Sequence, residues 1–98
     1  MKLFLTRTEV LNTAIKEYGM SAQMDMCIEE CSELIKALLK YRRNEDRQAL
    51  ENICEEMADV QIMLDQMRLL FGDTIKKEQY KIKRLAERLD YDYIIAGE

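Results

Sequence analysis

The sequence predicts an all-α fold, a helical bundle of about four helices in a single domain over residues 1–98. Three observations predict it. The chain has no proline and only three glycines, so almost nothing interrupts a helix. Apolar residues recur at three- and four-residue spacing along nearly its whole length. The breaks in that rhythm fall at Gly19, at the polar run 42–47 and at Gly72, which divides the chain into four segments.

The first segment opens on Thr6-x-x-Glu9, a capping box in which the threonine oxygen takes the Glu9 N–H and the glutamate reaches back to the Thr6 N–H. Val10, Leu11, Ala14, Ile15 and Tyr18 then mark one face, and Gly19 supplies a stop. Ser21 is the expected cap of a second helix with the stripe Met24, Cys27, Ile28, Cys31, Leu34, Ile35, Leu38 and Leu39, before a loop at Arg42 to Arg47. The third and longest helix carries Leu50, Ile53, Cys54, Met57, Val60, Leu64, Met67 and Phe71 and ends at Gly72. Asp73 or Thr74 caps a fourth helix with Ile75, Ile82, Leu85, Ala86 and Leu89, followed by the apolar tail Tyr91, Tyr93, Ile94 and Ile95.

A domain of this size buries only about two-thirds of the surface that its unfolded chain exposes. Helix three also carries Ile62, Met63, Leu69 and Leu70 away from its main stripe, more apolar surface than small neighbours cover. The bundle is therefore expected to be completed by homo-oligomerisation, as a homodimer or homotetramer.

A net charge of −4 argues against a nucleic acid polymer as partner, because phosphate neutralisation needs a basic face. Small phosphorylated ligands stay open. Cys27, Cys31 and Cys54 are odd in number, lack a C-x-x-C and fall on apolar stripes, so they read as reduced core thiols. The apolar start Met1 to Leu5 is too short for the central region of a signal peptide, and no stretch reaches the length of a membrane span. A cytoplasmic, reducing location and no membrane partner are the expectations.

Two acidic pairs carry the chemistry. The second helix holds Glu30 and Glu33, the third Glu56 and Asp59, each pair at i, i+3 and so on one helical face. Both pairs lie on the flank of their helix's apolar stripe, displaced in the same rotational sense, and are bordered mainly by uncharged residues. An isolated E-x-x-E is usually a surface feature, but two matched pairs repel each other and call for a positive partner. Oxygen-only donors suit Mg2+, or Mn2+, and the absence of histidine removes zinc and ferritin-like di-iron sites. On the fourth helix Lys77, Lys81, Arg84 and Arg88 form a basic stripe of the kind that binds polyphosphate.

Glu30-x-x-Glu33, then Glu56-x-x-Asp59, then Lys81-x-x-Arg84, each on a successive helix, resembles the MazG-like all-α nucleoside triphosphate pyrophosphohydrolase superfamily over roughly Gln23 to Leu89. The resemblance implies a magnesium-dependent hydrolase that converts an NTP or dNTP to the monophosphate and pyrophosphate, acting as a dimer or a dimer of dimers. By position it implies Glu30, Glu33, Glu56 and Asp59 as metal ligands and Lys81 and Arg84 as phosphate contacts. One of Glu30 or Glu33 is the expected general base. Gln23 lies two turns before Glu30, Asn52 one turn before Glu56 and Lys40 two turns after Glu33, and each is a candidate to touch nucleotide. The alternatives are a non-enzymatic acidic helical interaction or regulatory module and a nucleotide sensor without turnover.

Overall fold

The computed structural model describes residues 3–94. Ile95, assigned above to the apolar tail, lies outside them. The described residues form four α-helices and no strand: α1 (Arg7–Tyr18), α2 (Met20–Arg43), α3 (Arg47–Phe71) and α4 (Ile75–Arg88). Among the described residues no helix is long and apolar enough to cross a membrane.

The capping box forms at α1. The Glu9 N–H donates to the Thr6 hydroxyl at 3.2 Å, and the Thr6 N–H donates to the Glu9 carboxylate at 3.1 Å. The bond from the Thr6 N–H, with further help from the Thr6 hydroxyl, holds the Glu9 carboxyl below its ordinary value. Ser21 does not cap α2. The helix begins one residue earlier, at Met20, and a single residue, Gly19 at φ 91°, turns the chain between α1 and α2. That backbone angle lies in a region L side chains rarely adopt, so the glycine rather than a hydroxyl sets the boundary.

The polar run 42–47 contributes only residues 44–46 to the connection, since α2 runs to Arg43 and α3 starts at Arg47. Asp46 makes the turn short: its carboxylate accepts the Ala49 N–H at 2.7 Å as the N-cap of α3 and the Asn44 side-chain amide at 2.9 Å. At the start of α4, Thr74 holds the cap position but offers its side chain elsewhere. Its hydroxyl bonds Glu78 and accepts from Arg68 Nε at 2.9 Å, while Asp73 accepts the Ile75 N–H at 3.2 Å.

α2 and α3 pack as an antiparallel hairpin, and α1 lies against both. The small core contains Leu11, Ala37, Ala49, Ile53 and Met63. Across the hairpin the Gln23 side-chain amide donates to Gln66 Oε1 at 2.7 Å, and both residues are buried, at 6% and 3% exposure. At the other face Asp65 accepts from Arg7 at 2.7 Å and from Arg68 at 2.9 Å, which joins α1 to α3. Through Arg68 and Thr74 the same chain of bonds reaches the first turn of α4.

The hairpin packs about a quarter turn on α2, and about a sixth of a turn on α3, away from the centres of the apolar stripes, at about 100° per residue. On α2 the inward positions are Gln23, Cys27, Glu30, Leu34 and Ala37, whereas Ile28 and Ile35 are 67% and 59% exposed. On α3 they are Ile53, Glu56, Val60, Met63 and Met67, whereas Leu50, Cys54, Met57 and Phe71 face out. Cys27 and Cys31 are half-buried free thiols, but Cys54 is exposed and so is not a core thiol. Met63 is buried and Leu70 half-buried, which leaves only Ile62 and Leu69 of the four residues assigned to self-association on the surface. Both helices turn in the same sense, toward the flanks that carry their acidic pairs.

Helix α4 packs against none of the other three. Its apolar face, with Ile75, Ile82, Leu85 and Leu89, is exposed. The resulting radius of gyration is 17.2 Å, against about 13 Å for a compact domain of 100 residues.

Candidate metal centre

Turning the acidic flanks inward brings α2 and α3 carboxylates together. Glu30, Glu56 and Asp59 each place an oxygen so that all three lie within 4.8 Å of one another. Glu30 and Glu56 are half-buried, and Asp59 is exposed at the mouth. Glu33, the fourth acid of the two pairs, does not join this triad. Its carboxylate turns along α2 to Lys36, at 3.4 Å.

Three facts describe the electrostatics. Burial, then the charges of Asp59, Glu56 and Glu29, raises the Glu30 carboxyl above its ordinary value. Burial, then Asp59, Glu33 and Glu55, does the same for Glu56. One oxygen of Glu56, Oε2, is buried with no hydrogen-bond partner among the described residues. A buried carboxylate oxygen without a donor costs free energy that folding must offset elsewhere.

The residues present fit a hard divalent cation. The donors are all oxygens, no histidine exists in the chain, and Glu56, one of the three converging residues, has a buried carboxylate oxygen without a hydrogen-bond partner among the described residues. Because Mg2+ uses one or two carboxylates and keeps several waters for phosphate to replace, three clustered acids on an open rim match its needs better than a closed cage. The arrangement can gather a cation and, with it, the oxygens of a phosphate chain.

The other sequence-derived residues are distributed unevenly. Asn52 and Lys40 lie together in a cleft nearer the α2–α3 turn. Gln23 is on the same side of α2 as Glu30 but is buried and committed to Gln66. Lys81 and Arg84 stand on α4, which within one chain touches neither α2 nor α3; the Arg84 guanidinium lies 5.9 Å from the centre of the Tyr80 ring. Gln48 precedes Asn52 and Glu56 at i, i+4 spacing on one face of α3 and lines the same cleft.

Comparison of the chain with models of protein families, with curated proteins and with solved structures finds no match.

Proposed function

We propose that the protein is a magnesium-dependent nucleoside triphosphate pyrophosphohydrolase of the MazG-like kind, converting an NTP or dNTP to the monophosphate and pyrophosphate. The observation that carries the reading is the convergence of Glu30, Glu56 and Asp59 from two helices, with Glu56 Oε2 buried and unpaired. Acids that merely decorate a surface point outward and keep water; these face each other across the main packing interface at an electrostatic cost that a bound cation removes.

Glu30, Glu56 and Asp59 would hold the ion, and a magnesium ion there supplies neutralisation of charge developing on phosphate oxygens. Glu33 has a different role. It stands one turn from Glu30 on the same helix, outside the triad, and its only ion-pair partner among the described residues is Lys36, an exposed contact at 3.4 Å. A carboxylate so loosely held is able to orient a water and take its proton on one Oε while the other three remain committed. The water attacks the α-phosphorus, and pyrophosphate leaves.

The basic stripe of α4 enters through a second copy. The chain exposes 8523 Å2, whereas a compact protein of its 11.6 kDa mass exposes about 5,800 Å2, an excess of about 2,700 Å2. On two copies that excess comes to about 5,400 Å2, at the upper end of what obligate homodimer interfaces bury in total. The candidates to fill it are the outward stripes of α2 and α3 and the apolar face of α4. Helix α4 carries six basic and two acidic side chains on a chain whose net charge is −4, so its charge complements the hairpin. In such a pairing Lys81 and Arg84 of one copy approach the acidic site of the other, and the site is complete only in the dimer.

The direct test is incubation of the purified protein with each common NTP and dNTP and magnesium, resolving monophosphate, diphosphate and pyrophosphate. Monophosphate and pyrophosphate in equal amounts support the reading. Diphosphate and orthophosphate, or no product with any nucleotide, oppose it.

A further inference from the structure

Sulfur collects on one face of α2. Met24, Cys27 and Cys31 follow one another at i, i+3 and i+7, which places all three within about 60° of arc. Cys27 and Cys31 are free, half-buried thiols, and Met24 is 39% exposed beside them, so its thioether is not tied up in the core. Burial, then the charge of Cys31 and a hydrogen bond with it, hold the Cys27 thiol above its ordinary value, which marks the two sulfurs as near neighbours. None of the three residues takes part in the acidic triad.

The spacing decides what the thiol pair can do. Residues four apart on a helix hold their Cβ atoms about 5–6 Å apart, whereas a disulfide needs about 3.5–4.5 Å. Cys27 and Cys31 therefore do not close on each other while α2 is intact. One atom inserted between the sulfurs removes the mismatch: two metal–thiolate bonds of about 2.3 Å each, the length found with zinc, span roughly 4.6 Å. The pair suits a bridging ion.

The donor set decides which ion. Structural zinc takes four ligands, commonly thiolates and imidazoles. Among the described residues, the group of three or more Cys, Asp or Glu donors close enough to share an ion is Glu30, Glu56 and Asp59, and it contains no thiol. The chain has no histidine to complete a cage. Two thiols with a thioether alongside fit instead a soft ion of low coordination number, and Cys and Met sulfurs together favour monovalent copper. Hard ions are drawn elsewhere. Glu30 leaves α2 about 60° round from Cys27 and about 100° from Cys31, so oxygen and sulfur donors occupy adjacent faces of the same stretch of helix.

We propose that Cys27 and Cys31, with the Met24 thioether beside them, bind one monovalent copper ion as a bridge along α2, separate from the carboxylate site. Each thiol releases its proton to water as its sulfur–copper bond forms, and no electron changes hands. Copper binding requires no nucleotide and is independent of the hydrolytic reading.

The test is anaerobic titration of the reduced, metal-free protein with Cu(I) against a chromogenic Cu(I) chelator, followed by native mass spectrometry. One copper per chain with the loss of two protons is expected, unaltered by millimolar magnesium. Cys27→Ser and Cys31→Ser should each abolish retention and Met24→Leu should weaken it, while Cys54→Ser and Asp59→Asn should leave it unchanged. A second probe needs no variant: phenylarsine oxide joins two neighbouring thiols through arsenic and releases one water. Wild-type protein should gain one such adduct, on the peptide that holds Cys27 and Cys31. No copper retained by the wild type, retention that survives loss of either cysteine, or an arsenical adduct that involves Cys54 overturns the site. Displacement by magnesium, or loss with Asp59→Asn, places the copper among the carboxylates and overturns it as well.

Discussion

Glu30 on α2 and Asp59 on α3 face one another across the hairpin, their carboxylate oxygens within 4.8 Å and shared with Glu56. Two negative groups brought that close raise the proton affinity of the site, and the burial of Glu30 raises it further.

The first prediction follows from that relationship. Glu30 and Glu56 hold protons more tightly in the folded than in the unfolded chain, whose carboxyls titrate near the ordinary 4.5. In metal-free protein their favourable contribution is therefore full below that value and is lost as pH rises through the raised folded values. Glu30→Gln should raise Tm at pH 7.5 in EDTA, and the gain should vanish near pH 4. Equal effects at both pH values count against the coupling.

A second prediction concerns the ion. Millimolar magnesium or manganese should raise Tm of the wild type at pH 7.5, because an ion bound only by the native state stabilises it by mass action. The shift should fall at pH 5 as protons compete, and Asp59→Asn should abolish it. A Tm indifferent to both ions removes the site.

Asp65 behaves in the opposite way. The hydrogen bond from Arg7, with further help from Gln61 and from the charges of Arg7 and Arg68, holds its carboxyl below the ordinary 3.8. Its stabilisation is therefore present above pH 3.8 and lost as pH falls through the lowered value. Asp65→Asn should cost about 1 kcal/mol at neutral pH, a value reduced because Arg7 is largely exposed. Urea unfolding at pH 7 and pH 2.5 checks it: the difference between wild type and variant should narrow at the lower pH.

The Gln23–Gln66 pair gives a fourth prediction. Gln66→Leu leaves the buried Gln23 amide without its acceptor and should cost about 1–3 kcal/mol in urea unfolding. Replacing both with leucine should recover part of that loss, since no orphan then remains. A double variant less stable than either single one contradicts this view of the pair.

Much of the fold is legible in the sequence. The capping box, Gly19 and Gly72 mark helix boundaries because each has one local solution, and the four segments follow from the apolar rhythm. Which face of α2 and α3 packs inward is only partly legible from hydrophobicity: Cys27, Leu34, Ile53, Val60 and Met67 of the apolar stripes do turn in. The strongest stripes, with Ile28, Ile35 and Met57, stay exposed in the single chain, and the hairpin closes on the acidic flanks instead. Spacing alone places Glu30, Glu56 and Asp59 on common faces, but it cannot tell that Glu33 turns to Lys36 or that Gln23 finds Gln66, because those outcomes depend on side-chain partners distant in sequence or free to rotate. The basic stripe of α4 is equally plain in the sequence, yet no local pattern states whether its partner is the same chain or another.

The most direct measurement of the central claim is hydrolysis of the preferred triphosphate in water enriched in oxygen-18, with mass spectrometry of both products and Glu33→Gln and Asp59→Asn in parallel. Attack at the α-phosphorus predicts one labelled oxygen in the monophosphate and none in the pyrophosphate, with turnover falling at least about 100-fold in both variants while their helical circular dichroism is kept. Label in pyrophosphate or orthophosphate, or near-normal turnover in both variants, contradicts the proposed site and its reaction.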